Sequence, residues 1–173
     1  TADPVDPMEA GDRGLGFRVE GVEGRRRVVH GVNGAGRQDR QPLRVVQMWI
    51  PPEELGGAPS YQEADISAQL AGNTLIPMAS GMRKYRDDAA ITFGNSYAAL
   101  HVARLDAGRA VQVPDAPYGH VFITRGGAEF EGSGPLDTGD AVRLTATGGQ
   151  RITAGADGAE VLIWEMHTIA VNV

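Results

Sequence analysis

The feature that most constrains this chain is a succession of short strand-like segments after residue 89. "AITFG", "YAALHVARL", "RAVQV", "HVFITRG", "AEFEG", "DAVRLTA", "QRITA" and "EVLIWEMH" follow one another, separated by glycine-rich turns. Turn signals at roughly ten-residue spacing, with no helical periodicity between the apolar runs, predict an all-β sandwich or barrel rather than alternating strands and helices. Alternation assigns the faces. In "YAALHVARL", Leu100 and Val102 share one side, and Tyr97, His101 and Leu105 the other. In "EVLIWEMH", Leu162, Trp164 and Met166 lie opposite Val161, Ile163, Glu165 and His167. No internal repeat is visible.

Upstream, "LRVVQMWI" is a strand that stops at Pro51-Pro52. "PPEELGGAPSYQE" reads as a turn or a single helical turn, "ADISAQLA" as weakly helical or a linker, and "NTLIPMAS" as an extended stretch that Pro77 confines to an edge or an irregular strand. Residues 1–42 differ in texture: Phe17 is their only aromatic residue, and glycine, arginine and aspartate dominate. "GFRVEGVEGRRRVVHGV" has the pattern of a hairpin with Phe17, Val19, Val28 and Val29 on its arms and Glu-Gly near the turn. The segment has too few large apolar side chains for a core of its own. It is expected to drape on the rest of the chain, to be partly disordered, or to be an out-of-frame or truncated leader.

The totals exclude several chemistries. There is no cysteine, hence no disulfide framework, thiolate metal site or cysteine nucleophile. The net charge of −6 argues against nucleic acid as a partner. No run approaches the length of a membrane span, and no basic-then-apolar leader is present, so a cytoplasmic protein is expected. Lys84 is the sole lysine.

Four segments, "VVQMWIPPEELGGAPSYQE", "AALHVARLDAG", "VPDAPYGHVFITRGG" and "GPLDTGDAVRLTATGGQRITA", closed by "AEVLIWEMH", resemble the pirin family of cupin proteins, its bacterial members above all. The match runs in order over about residues 43–167. The Gln-Met-Trp-Ile-Pro strand with the following Pro-x-Tyr-Gln is its most specific part. In the Thr138-Gly139-Asp140 turn, Gly139 is expected to supply a positive φ and Asp140 to satisfy turn amides.

The resemblance implies an all-β cupin fold, a double-stranded β-helix or jelly-roll barrel: one complete C-terminal barrel over 89–173, a closing strand of an N-terminal barrel with a crossover over 43–88, and an atypical segment over 1–42. It also implies iron, held in the family's N-terminal barrel by a His-x-His pair and a His-x-Glu pair. This chain has no His-x-His, and in "VVHGVN" Val32 stands two residues after His30 where a glutamate is needed. No catalytic, cofactor-binding or metal-binding residue is therefore assigned, and no cofactor is expected unless iron is retained in some other way.

His101, His120 and His167 lie on predicted strands. They are expected to be hydrogen-bonded residues at a barrel face or rim; convergence on a three-histidine site is the alternative. Trp49, Trp164, Phe93, Phe122 and Phe130 are expected in the core. Glu53-Glu54, Asp87-Asp88, Glu129 and Glu131 are expected on solvated faces, and Arg25–Arg27 on a hairpin edge. The functional expectation is a pirin-like protein without its own metal site, binding a protein or small ligand, with an exposed strand edge that favours a homo-oligomer or a protein partner. The alternative is an iron-dependent quercetin 2,3-dioxygenase-type oxygenase.

Overall fold

The computed structural model describes residues 15–22 and 25–32 as backbone, and 45–54, 56 and 60–168 in full. Its strands form two sheets. The smaller has the order β3-β2-β1-β4, built from β1 (Leu15–Val22), β2 (Arg25–Val32), β3 (Val45–Ile50) and β4 (Tyr61–Asp65). β1 and β2 are an antiparallel hairpin in which Val19 faces Val28. β3 adds to β2 with Val46 opposite His30. The apolar strand that ends at Pro51-Pro52 thus finds its sheet in the glycine- and arginine-rich segment upstream. β4 corrects the sequence reading: the segment ending in Tyr-Gln-Glu is a strand that pairs with β1, not a turn.

The larger sheet has the order β10-β9-β12-β7-β5-β6. Its members are β5 (Ile76–Ser80), β6 (Ile91–Thr92), β7 (Ala98–Leu105), β9 (Ala116–Phe130), β10 (Gly134–Asp137) and β12 (Arg151–Met166). β8 (Ala110–Gln112) pairs with β12, and β11 (Ala141–Thr147) with β9. This sheet begins at Ile76, inside the stretch that the resemblance assigned to the crossover. Pro77 has the expected effect, a register shift against β7 between Pro77 and Ala79, but β5 lies between β7 and β6 rather than at the edge. "HVFITRG" and "AEFEG" fuse into one strand, β9, and "QRITA" and "EVLIWEMH" into another, β12. A bulge between Ala154 and Ala159 lets β12 continue along β9 past its glycines.

Both faces of the β7–β12 pair are buried, which explains why these strands read as near-continuous apolar runs. Leu100, Val102 and Leu162 pack with Ile50, Ile66, Leu70 of the short helix α1 (Ser67–Leu70), Met78 and Ile91, joining the two sheets. Ala103, Leu105, Val161 and Ile163 point the other way, into the barrel, against Val121, Ile123, Phe130 and Ile152. The alternation read from the sequence holds at each of these positions. The predicted Gly-Asp turn is also present: Gly139 has φ 100°, and Asp140 accepts the Asp137 amide at 2.8 Å.

The two sheets are also clamped by side chains. The Gln62 carboxamide donates to the Thr92 carbonyl at 2.8 Å and accepts the Thr92 amide at 2.9 Å, capping the edge of β6. Beyond β3, Asn95 donates to the Pro51 carbonyl, and Glu53 accepts the Ser96 hydroxyl and amide. Phe93 and Phe130 are buried as expected, and Phe122 and Trp164 pack partly buried against the inter-sheet core. Trp49 is a correction. Together with Val45 it lies on the outward side of β3, 53% and 47% exposed, while Val46, Met48 and Ile50 take the inward side.

Candidate functional site

At one end of the C-terminal barrel the apolar interior gives way to a carboxylate. Glu165 is on the inward side of β12, opposite Ala99 of β7 and Gly119 of β9, and is 1% exposed. Burying a lone carboxylate is costly, and its surroundings show how the cost is met. His101, one pair further along β7 and opposite Ile163, brings Nε2 to 3.0 Å from Oε2. Tyr85 donates its hydroxyl to the same oxygen at 2.7 Å. On Oε1, the Lys84 ammonium sits at 2.5 Å and His167 Nε2 at 2.7 Å. Lys84 and Tyr85 come from a 3-10 turn, Arg83–Tyr85, that connects β5 to β6 and lies across the barrel end. The turn is held there by further contacts: the Tyr85 ring meets the His101 ring edge-on at 5.0 Å, and the Lys84 ammonium lies 4.8 Å from the Tyr85 ring centroid.

A carboxylate has about four lone-pair sites, and here two donors meet each oxygen. Burial pushes the Glu165 carboxyl up, but the bonds from His101, Lys84, Tyr85 and His167 together outweigh it and hold the group well below the usual carboxylate range. For Lys84, partial burial pulls down, and the Glu165 and Tyr85 contacts more than compensate, so the ammonium is held above its ordinary value. Burial, then the bond to Glu165, raises the Tyr85 phenol and keeps it a donor. Since Glu165 is ionised and only accepts, both imidazoles present an N–H at Nε2. His167 also faces outward, lining an open depression of about 380 Å³ with Asp115, Ala116, Pro117, Ala146 and Thr147.

The sequence candidates divide accordingly. His101 and His167 converge on Glu165. His120 does not: it is paired with Trp164 on the opposite face, where burial and the neighbouring Arg143 lower its pKa. His30 is opposite Phe17 and Val46 in the small sheet, and its side chain, like those of Arg25–Arg27, lies outside the described residues. Glu131 accepts the Arg151 amide and Glu53 caps Ser96, so neither is merely solvated. The sequence reading missed Glu165, Lys84 and Tyr85. One signal was present in "WEMH": Glu165 and His167 are an i, i+2 pair on a strand face otherwise occupied by Val161 and Ile163.

No family model matches the chain. Proteins of Mycobacterium tuberculosis and Mycobacterium bovis, each provisionally named a quercetin 2,3-dioxygenase, are 44% identical over 127 residues, which is 73% of this chain and 51% of theirs. The chain thus spans about half the length of the curated relatives it matches. Among solved structures, YhhW from Escherichia coli superposes with a TM-score of 0.61 at 18% identity, over 93% of this chain and 80% of that one. The same bacterial pirin in complex with nickel(II) gives 0.61 at 16% identity, over 92% and 79%. YhaK from Escherichia coli gives 0.58 at 14%, over 92% and 78%.

The fold is therefore that of an all-β cupin, with a complete barrel in the C-terminal part and the smaller sheet in the place of an N-terminal one. Within that class, the solved structures on which it superposes include the bacterial pirin YhhW.

The iron implied by the resemblance, like the nickel(II) of the YhhW complex, is a transition ion that imidazole and carboxylate lone pairs would have to bind at one point. The Glu165 cluster does not fit that requirement. Its histidines direct N–H groups at the carboxylate, its carboxylate lone pairs are engaged, and an ammonium supplies the positive charge. Among the described residues no group of three or more His, Asp or Glu is placed to hold a metal ion.

Proposed function

We propose that this chain acts as a pirin-like cupin binding protein, its contact surface the outward side of β3 and the edge that no strand pairs with among the described residues, with no metal of its own at the barrel end. The observation that carries this reading is the exposure of Trp49 and Val45 on a strand that, among the described residues, pairs on one side only. Val45–Ile50 contains no charge and no proline, the devices that usually protect an edge strand from addition. The occupant we assign is a second copy. Antiparallel pairing of β3 with itself about residue 47 places Val45 of each copy against Trp49 of the other, with no like charges opposed. Sedimentation of the intact chain at tens of micromolar is expected to show a concentration-dependent dimer that Trp49→Glu abolishes, the two chains melting alike at concentrations where both are monomeric. A monomer at every concentration overturns the assignment of a second copy.

The provisional names of the mycobacterial relatives favour a second reading, a quercetin 2,3-dioxygenase-type oxygenase. Metal analysis and flavonol turnover separate the two. The binding reading expects no stoichiometric iron, nickel or zinc and no turnover after incubation with Fe(II) or Ni(II). Turnover that His101→Ala or His120→Ala abolishes supports the oxygenase.

A further inference from the structure

We propose that the outward face of the larger sheet beyond β3, where Arg143 and His120 stand opposed beside Tyr118, Phe122 and Trp164, binds a small aromatic carboxylate. The inference goes beyond the pairing of β3 with a second copy and does not rest on it.

The larger sheet extends past the smaller one. On one side β4 is fastened to β6 through Gln62 and Thr92. On the other, Trp164 Nε1–H of β12 donates to Met48 Sδ of β3 at 3.2 Å. Among the described residues β3 is the last strand of the smaller sheet, whereas the larger continues from β12 to β9 and β11. Val142 and Leu144 of β11 pack with Val121 and Ile123 of β9 on the barrel interior. Their alternates therefore face outward: Tyr118, His120 and Phe122 on β9, and Arg143 on β11. Register puts Trp164, His120 and Arg143 in one cross-strand row. Trp164 and the three β9 side chains are partly buried, and Arg143 is exposed.

This row offers donors and supplies no acceptor for them. Among the described residues no hydrogen bond or ion pair reaches the His120 ring or the Arg143 guanidinium, in a chain whose net charge is −6. Burial, then the Arg143 charge, lowers the His120 pKa, so at neutral pH the ring is uncharged and keeps one N–H. Directly opposed side chains have Cβ atoms about 5 Å apart, close enough for one carboxylate to meet both the planar fork of Arg143 and the His120 N–H. One guanidinium balances one negative charge, which favours a carboxylate over a phosphate. Two strand spacings, roughly 10 Å, separate Arg143 from Trp164. That is the span of a bicyclic aromatic acid lying on the β9 rings with its far end toward Trp164 and the step at Met48.

The test is calorimetric titration of 1-naphthoate and of its neutral isostere 1-naphthamide into the intact wild-type chain, Arg143→Ala, Arg143→Lys and Trp49→Glu at neutral pH. Folding is checked by the near-ultraviolet circular dichroism of the tryptophans. Wild type and Trp49→Glu are both expected to take up one equivalent of 1-naphthoate, about tenfold more tightly than 1-naphthamide. Nuclear Overhauser effects are expected between the naphthalene protons and the Phe122 and Trp164 rings. Arg143→Ala is expected to lose the preference for the anion, and Arg143→Lys, charged but without the fork, to keep part of it. No saturation at millimolar 1-naphthoate, equal affinity of wild type for 1-naphthamide, or a preference that survives Arg143→Ala overturns this inference and leaves the dimer of β3 to its own sedimentation test. Saturation in Trp49→Glu alone would show that a second copy, not a ligand, covers this face, and overturns the inference as well.

Discussion

Replacing Glu165 by glutamine is expected to lower stability by about 3 kcal/mol, within the range for removing one partner of a buried ion pair. For a chain of this size that is a fall of roughly 10 °C in melting temperature, read by circular dichroism. Glutamine keeps the shape but replaces one acceptor oxygen with an N–H₂ group, so at least one of His101, Tyr85, Lys84 and His167 meets a donor instead of an acceptor. The pH dependence of the same melts gives an independent readout. The Glu165 carboxyl lies lower in the folded chain than in the unfolded one, whose carboxyl titrates near ~4.3. On acidification the unfolded chain therefore takes up the proton first. The Glu165 contribution is complete above that range and is lost as pH falls below it toward the folded value. The gap between wild type and Glu165→Gln is expected to narrow on acidification below pH 4. A gap that widens there would show that the carboxylate is not held in its charged form by these donors.

Gly81→Ala is expected to have a comparable effect by a different route. Gly81 joins β5 to the Arg83–Tyr85 turn, and its amide donates to the Ala98 carbonyl at 3.2 Å. A Cβ there would stand 2.0 Å from the Asn95 carbonyl oxygen and 2.6 Å from that of Phe93. Both obstacles are backbone, so the clash cannot be relieved by a rotamer change. The turn must shift, carrying Lys84 and Tyr85 away from Glu165. A loss of about 3 kcal/mol is expected, at the upper end for overpacking. Because the damage is routed through the cluster, the losses from Gly81→Ala and Glu165→Gln should fall well short of additive in the double variant. Full additivity, measured by denaturant titration, would show that the turn's position and the carboxylate are independent.

Much of the barrel was legible in the sequence because it rests on local rules. A period of two sorts Leu100 and Val102 from His101 and Leu105, and Leu162 and Trp164 from Ile163 and Glu165, and the structure keeps each assignment. Gly139 and Asp140 follow from turn stereochemistry. The misreadings have identifiable causes. With Gly56, Gly57 and Pro59 before them, Tyr61–Glu63 read as the end of a turn and Ala64-Asp65 as the start of a weakly helical or linker stretch, yet β1 recruits Tyr61–Asp65 as a partner strand. Trp49 was assigned to the core on residue type, while the pleat turns it away from Met48 and Ile50.

The Glu165 cluster is the clearest case of information absent from sequence order. Lys84 and Tyr85 are about eighty positions from Glu165, on a turn whose sequence, "MRKYRDD", resembles an exposed charged loop. What brings them together is the pairing of β5 and β12 on either side of β7. Only the Glu-x-His spacing on β12 was visible in advance, and its meaning depends on which face of the strand is buried.

The central claim is that a protein ammonium, not a metal ion, neutralises the carboxylate at the end of this barrel. Anomalous diffraction from wild-type crystals grown with nickel(II) tests it most directly. The account predicts no nickel peak at the Glu165 side chain, with the Lys84 side chain in density against Oε1. A nickel peak there, ligated by His101, Glu165 and His167 with Lys84 displaced into solvent, would contradict it.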